Sequence, residues 1–279
     1  LDGGDIDAVK FDELAQLCGS RDDQLRSWVY HGFPGAPDMP VFAQIAPPHM
    51  GALKHASVFK EIVAKDGKLG HVTFGFEFPD VWPCVVDPMN VVMQRGKGRV
   101  AIDKTMLVSG DYELPSFNLT LDLDAIGNRY LLVRISTFTR ACAILETALV
   151  GVIGILLKIA KFDLEKFFRK HAKQHAHLHQ SGRLTHEGFG TDGRVNFGEC
   201  NAPDNTGRVS NELTLFVRHE LRRLQREYAP RDPALRAGLA RRAALSNSES
   251  AEFTLDVLFF VWWYVDDAGL AVIDDLLFD

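Results

Sequence analysis

Phe259-Phe260-Val261-Trp262-Trp263-Tyr264-Val265-Asp266-Asp267-Ala268-Gly269-Leu270-Ala271-Val272 is the stretch on which the reading of this chain turns. An apolar run rich in β-branched and aromatic residues stops at two adjacent carboxylates and resumes with small and branched residues, which is the pattern of strand, tight turn, strand. Adjacent aspartates repel each other, so folding alone does not favour them between two strands. Two carboxylates presented in one turn are, however, a suitable oxygen-ligand set for magnesium, whose charge cancels the repulsion. An ordinary Asp-Asp turn fits the same residues, because aspartate is common in turns. Asp274-Asp275 reads as a solvated loop in an acidic tail; the long apolar strand leading into Asp266-Asp267 separates the two pairs.

Three further elements stand upstream. In residues 152–168 an apolar run ends at Asp163 and passes at once into helical spacing, predicting a buried strand with Asp163 at its C-terminal end, where a sheet presents reactive groups. Alone, such an aspartate also serves as a helix cap, and Phe168 alone reads as core. In residues 91–103 two short β-type runs flank Arg95-Gly96-Lys97-Gly98, predicting a flexible hairpin with a basic tip suited to closing over a polyphosphate. In residues 196–226 a Gly/Asn/Pro loop precedes a helix whose apolar face is Val209, Leu213, Phe216, Val217, Leu221 and Leu224. Arg218, Arg222, Arg223 and Arg226 fall largely off that face, as a solvated surface or a track for template phosphates.

In their order and spelling these elements resemble reverse transcriptases, and gypsy-like retrotransposons in particular. Tyr264-Val265-Asp266-Asp267 is similar to the family's Tyr-x-Asp-Asp box, Asp163 with Phe168 to its first catalytic motif, and Arg99 with Asp103 to the Arg-x-x-x-Asp of its fingers hairpin. Phe197-Gly198-Glu199-Cys200-Asn201-Ala202-Pro203 is similar to its Phe-Gly-x-x-Asn-Ala-Pro box, the most specific of the matches. The resemblance covers roughly residues 80–279 and implies an α+β fold of right-hand polymerase type, with an antiparallel palm sheet backed by helices. It implies that Asp163, Asp266 and Asp267 are catalytic and hold two magnesium ions, or manganese in their place. Lys97 and Arg99 would then bind the incoming triphosphate, Phe168 would exclude a ribose 2′-hydroxyl, Gly198, Asn201 and Pro203 would support the nucleotide, and Tyr264 and Val265 would line the primer terminus. The implied partners are an RNA or DNA template with its primer and deoxynucleoside triphosphates.

The corresponding division is an N-terminal extension over 1–78, fingers over 79–150 and 171–194, and palm over 151–170 and 195–279, with the thumb absent and the chain a fragment of something longer. Gly98 stands where the family has an aromatic, implying a looser hairpin, and Thr206-Gly207 stand where it usually has Phe-Gln. A retroelement-derived domain that binds nucleic acid or protein without turnover, and an RNA-templated RNA polymerase, are the competing readings.

The remaining sequence bounds these expectations. The 279 residues can bury a large core, and the net charge is -6. Residues 1–157 hold 14 Lys/Arg against 19 Asp/Glu, residues 158–243 hold 17 against 10, and residues 244–279 hold 0 against 8, so a basic middle segment could face phosphate. The four cysteines are far apart and lack Cys-x-x-Cys spacing, so neither a zinc ribbon nor a disulfide framework is indicated and a reducing, intracellular compartment is the default. No signal peptide is visible, and the apolar run 141–157 is short for a membrane span and carries Glu146. Residues 1–50 contain one predicted helix, Ala8–Leu17, and residues 52–64 a second, with Leu53, Ala56, Phe59 and Val63 on one face. Helices are also predicted over 139–149 and through His171, His175, His177 and His179, whose i, i+4 pairs could hold zinc but, with no Cys or carboxylate nearby to complete a site, read as a solvated or phosphate-facing surface.

Overall fold

The computed structural model describes residues 5–105, 116–121, 157–164, 166–196, 198–227, 233, 237, 259–264 and 267–273. In chain order its elements are α1 (Ala8–Leu17), α2 (Asp23–His31), β1 (Gln44–Ile45), α3 (Met50–Lys54), α4 (Ala56–Lys68), β2 (Val85–Val86), β3 (Met89–Gln94), β4 (Lys97–Ile102), β5 (Leu157–Asp163), β6 (Gly182–Thr185), β7 (Gly188–Thr191), α5 (Ala202–Glu227), β8 (Phe259–Tyr264) and β9 (Asp267–Ile273), with 3₁₀ turns at Phe117–Thr120, Phe167–Lys170 and His175–Gln180. The predicted helix at 139–149 and the polar loop 230–252 lie outside the described residues, apart from 233 and 237. None of the described helices is long and apolar enough to cross a membrane.

The chain forms two compact units. The first comprises Leu1–Glu13, Arg21–Tyr130 and Lys166–Thr206, and the second Leu14–Ser20, Leu131–Glu165 and Gly207–Asp279. In the first, a four-stranded sheet runs in the order β1-β2-β6-β7, parallel except for the β6–β7 hairpin. The β3–β4 hairpin is separate and lies on α3 and α4, where Ala52, Phe59, Val63, Met89, Val91 and Ile102 form one buried cluster. α2 was not anticipated, although its signals are local: Asp22 accepts a hydrogen bond from the Leu25 amide at 3.0 Å, and Gly32 ends the helix. The single helix expected over 52–64 is two, because the chain leaves helical dihedrals at His55 (φ -112, ψ 40). That break brings Ala52 rather than Leu53 to the core and leaves Leu53 exposed.

The histidine segment differs most from expectation. It forms no α-helix; a 3₁₀ turn at Phe167–Lys170 and another at His175–Gln180 bracket an extended stretch held by backbone bonds from Lys173 to Gly193 and from Gln174 to Phe33. His171 is buried, its ring 4.8 Å from that of Phe33 and 4.9 Å from that of Phe167. Lys173 is buried too, donating to Ser181 Oγ at 2.5 Å and paired with Glu199. Beside them Arg169 donates to both carboxylate oxygens of Asp192 at 2.7 and 2.8 Å and to Asp66 at 3.2 Å, and Arg183 meets Asp192 and Asn196. The basic middle segment is therefore only in part a surface. Arg169, Lys173, Arg183, Arg194 and Arg208 are interior, and the sequence charge count overstates what phosphate could meet.

Burial pushes the His171 pKa from 6.5 down to about 3, with only the Phe167 backbone and Asp5 opposing. Between these two values the unfolded chain binds a proton that the folded one does not, so this contribution to stability is complete above pH 6.5 and is lost as the pH falls toward 3. His171→Phe, which keeps the ring contacts, is expected to remove up to about 1.4 kcal/mol per pH unit from that acid slope. Urea unfolding at stepped pH measures it, and an unchanged slope would refute the assignment.

Candidate functional site

The three-stranded sheet of the second unit runs in the order β5-β9-β8, antiparallel throughout. Its register is what matters for chemistry. Asp163, the last residue of β5, is the cross-strand partner of Asp267, the first residue of β9, and Asp267 is in turn the partner of Tyr264 at the end of β8. Two motifs far apart in sequence thus end on one row of the sheet.

Alternation along each strand places positions 163, 264 and 267 on one face and positions 261, 268 and 270 on the other. The second face is the packed one: Val261 is buried, and Leu270 joins it against Val217 and Leu221 of α5. The apolar stripe read along 209–224 is therefore core, as expected, and the carboxylate positions lie on the face turned from α5. The helix begins at Ala202, seven residues before the stripe, with Pro203 exposed in its first turn, where a missing N–H costs nothing. Asp163 itself is exposed. Val265 and Asp266, which join β8 to β9, lie outside the described residues. Among the described residues no group of three His, Cys, Asp or Glu could hold a metal, and Asp163 is the one proposed ligand whose side chain is described.

Two expectations about β5 need correction. Its described side chains are exposed rather than buried, with Ile159 at 58% and Phe162 at 52%, because it is an edge strand of a small sheet. Among the described residues no α-helix follows Asp163 directly; Lys166 takes a left-handed conformation (φ 55) and the chain enters the 3₁₀ turn that carries Phe168. Phe168 is 6% exposed, set in that turn within the first unit.

The first unit holds the other proposed residues. The β3–β4 hairpin is closed by Arg95-Gly96 alone, with φ 50 and 78, the two left-handed residues of a type I′ turn. Lys97 and Arg99 are exposed on one face of this ribbon, while Met89, Val91 and Ile102 on the other enter the α3–α4 core. Asp103 follows at its base, accepting from the Thr105 amide at 3.0 Å and lying 3.2 Å from His49 Nε2. These bonds outweigh burial and hold the Asp103 carboxyl below the ordinary carboxylate range, the Thr105 hydroxyl contributing most.

Gly198 makes a close backbone approach to its own chain. At φ 109 it places the site of a Cβ 2.1 Å from the Ile102 carbonyl oxygen, so a side chain there is excluded. Asn118, which sequence reasoning missed, clamps the same loop: its Nδ2 donates to the Gly198 carbonyl at 2.8 Å and its Oδ1 accepts from the Cys200 amide at 3.0 Å. Asn201 is buried and donates at 3.3 Å to the carbonyls of Pro34 and Gly35. No local signal could have revealed these partners, which are about 80 to 167 residues away along the chain.

No family model and no curated protein matches the chain. Among solved structures it is similar to native prototype foamy virus protease-reverse transcriptase, at 15% identity over 83% of this chain and 21% of that one, with a TM-score of 0.41. A CSH mutant of the same viral protein gives 15% identity, 95% and 29% coverage and a TM-score of 0.47. The foamy viral enzyme in complex with an RNA/DNA hybrid gives 11%, 95%, 29% and 0.43. The chain spans less than a third of the length of each of these.

Proposed function

We propose that the chain is the fingers and palm of an RNA-directed DNA polymerase that adds deoxynucleotides to a primer 3′-hydroxyl, with fingers over 79–150 and 171–194, palm over 151–170 and 195–279, and residues 1–78 preceding them. The observation that carries the reading is the Asp163 to Asp267 register, because directly opposed residues of an antiparallel ladder share a face. The donor set suits magnesium: carboxylates are hard oxygen ligands, and Asp163 is open to solvent at its strand end. Asp163, Asp266 and Asp267 would hold it. The chemistry such an ion would supply there is a lowered pKa at the primer hydroxyl and stabilisation of charge at the transferred α-phosphate. Lys97 and Arg99 offset the charge of the triphosphate and of the departing pyrophosphate, Arg99 with two-point contacts. Tyr264 and Val265 line the primer end, Phe168 selects against the 2′-hydroxyl, and Gly198, Asn201 and Pro203 shape the nucleotide side.

The test is single-nucleotide primer extension on an RNA template with magnesium, comparing each deoxynucleotide with its ribonucleotide. Expected is template-directed addition favouring the deoxynucleotide on the order of a hundredfold, lost in Asp266→Asn. Equal use of ribonucleotides would support an RNA polymerase instead. The non-catalytic reading draws on Thr206, which is fully buried and donates its hydroxyl to the Ala202 carbonyl at 2.7 Å, leaving that position turned into its own helix. Absence of addition, even in a longer chain that includes a thumb, would favour that reading.

A further inference from the structure

The gap at Gly98 is filled from elsewhere in the chain. A Cβ built on Gly98 would lie 2.3 Å from Val58 Cγ1, with Met93 Sδ at 3.4 Å and Val91 Cγ1 at 3.6 Å around the same point. Val58 belongs to α4 and packs with Phe74 and Val100 against the cluster that contains Phe59, Val63, Met89, Val91 and Ile102. A β-branched side chain inside a helix has essentially one rotamer, so Val58 cannot swing aside to admit a larger residue at 98. The hairpin is therefore not the looser ribbon that a glycine in place of an aromatic implies. Its inner face is closed by a helix from an N-terminal segment to which the sequence assigned no task beyond packing.

The seat is tight at its other end as well. A Cβ at Gly51, in α3, would meet Asn90 Oδ1 at 2.0 Å and the Val91 carbonyl oxygen at 3.2 Å, so α3 lies directly on β3. His49 adds two ties: its amide donates to the Met89 carbonyl at 2.9 Å, and its ring reaches Asp103. Residues 49–63 thus hold both strands of the ribbon, with Val58 on the face opposite Lys97 and Arg99.

We infer that Val58 is a positioning residue: seated against Gly98, it fixes where the hairpin presents Lys97 and Arg99 to a triphosphate. The role rests on the polymerase reading, whereas the seat itself does not. Its test is a double-mutant cycle in the full chain with Gly98→Ala, Val58→Ala and the pair. Gly98→Ala is expected to raise hydrogen exchange across residues 89–102 and to raise KM for the deoxynucleotide about tenfold with kcat little changed, since Lys97 and Arg99 act through binding. Val58→Ala removes Cγ1, so adding it to Gly98→Ala should restore both readouts most of the way. Normal exchange and KM in Gly98→Ala would overturn the inference, as would a defect that Val58→Ala fails to rescue. If no nucleotide is added even in a longer chain that includes a thumb, the polymerase reading fails by itself, and the exchange cycle still decides whether Val58 seats the hairpin.

Discussion

Asp163→Ala is expected to abolish magnesium-dependent nucleotide addition, lowering the rate about a thousandfold or more while leaving the fold intact. A metal that stabilises charge in phosphoryl transfer contributes several kcal/mol, and each 1.4 kcal/mol is about tenfold in rate. Asp163 closes β5 opposite Asp267, so alanine there removes a carboxylate from the shared face and leaves the strand pairing in place. Its side chain is exposed, and substitutions at such sites change stability by only about 0.5 kcal/mol. Loss of activity at unchanged urea midpoint is the expected pair of results. Undiminished addition by this variant would remove Asp163 from the site and with it the argument from register.

The second large effect is on stability. Asp192 is fully buried and takes both Arg169 and Arg183, together with the Arg194 amide at 2.9 Å. Burial pulls the Arg183 pKa down to about 9, with the Arg169 charge adding to it, and the nearby carboxylates oppose both effects. Within this network the buried cations Arg169, Arg183, Lys173 and Lys104 are balanced by Asp66, Asp192, Glu199 and Asp87, so these groups are neutral together only while every member remains. Asp192→Ala leaves Arg183 without its carboxylate partner and Arg169 with Asp66 alone, and a broken buried pair costs about 3–5 kcal/mol. Against a typical total of about 5–15 kcal/mol, the first unit would be marginal. Glu220→Ala is the control: its partner Arg223 is at 2.9 Å with both side chains half exposed, and such pairs contribute roughly 0.2–1 kcal/mol. Chemical denaturation of the two variants should therefore differ severalfold in lost stability; similar small losses would mean that the buried network relaxes around the missing carboxylate.

What could be read from the sequence was whatever depends on near neighbours. α1 has the bounds that its periodicity predicts, the basic hairpin and the aromatic hairpin both form, and Asp163 ends its strand. Each rests on alternation, turn chemistry or helical spacing within a dozen residues. What could not be read depends on partners far along the chain. Arg169 looks like a surface cation until Asp66 and Asp192 are set beside it, and nothing near Gly198 in the sequence shows that the Ile102 carbonyl lies against it. His171 looked like one of four equivalent imidazoles on a helix, and Phe33 and Phe167 make it interior. At the candidate site the two carboxylate motifs were legible separately, while the register that pairs them belongs to the sheet alone.

The parallel pairing of β2 with β6 carries a consequence for how the protein is made. Val86 must wait for Gly182, and Asp66 and Lys104 for Arg169 and Gln180, before the first unit can close. At about 5–20 residues per second, a ribosome leaves that half-built sheet without its partners for on the order of ten seconds, with apolar strands and unpaired buried charges in the open. Chains interrupted in that interval carry the ingredients for aggregation and none of the contacts that prevent it, so this protein should depend on chaperone capacity during synthesis far more than on any weakness of its finished fold.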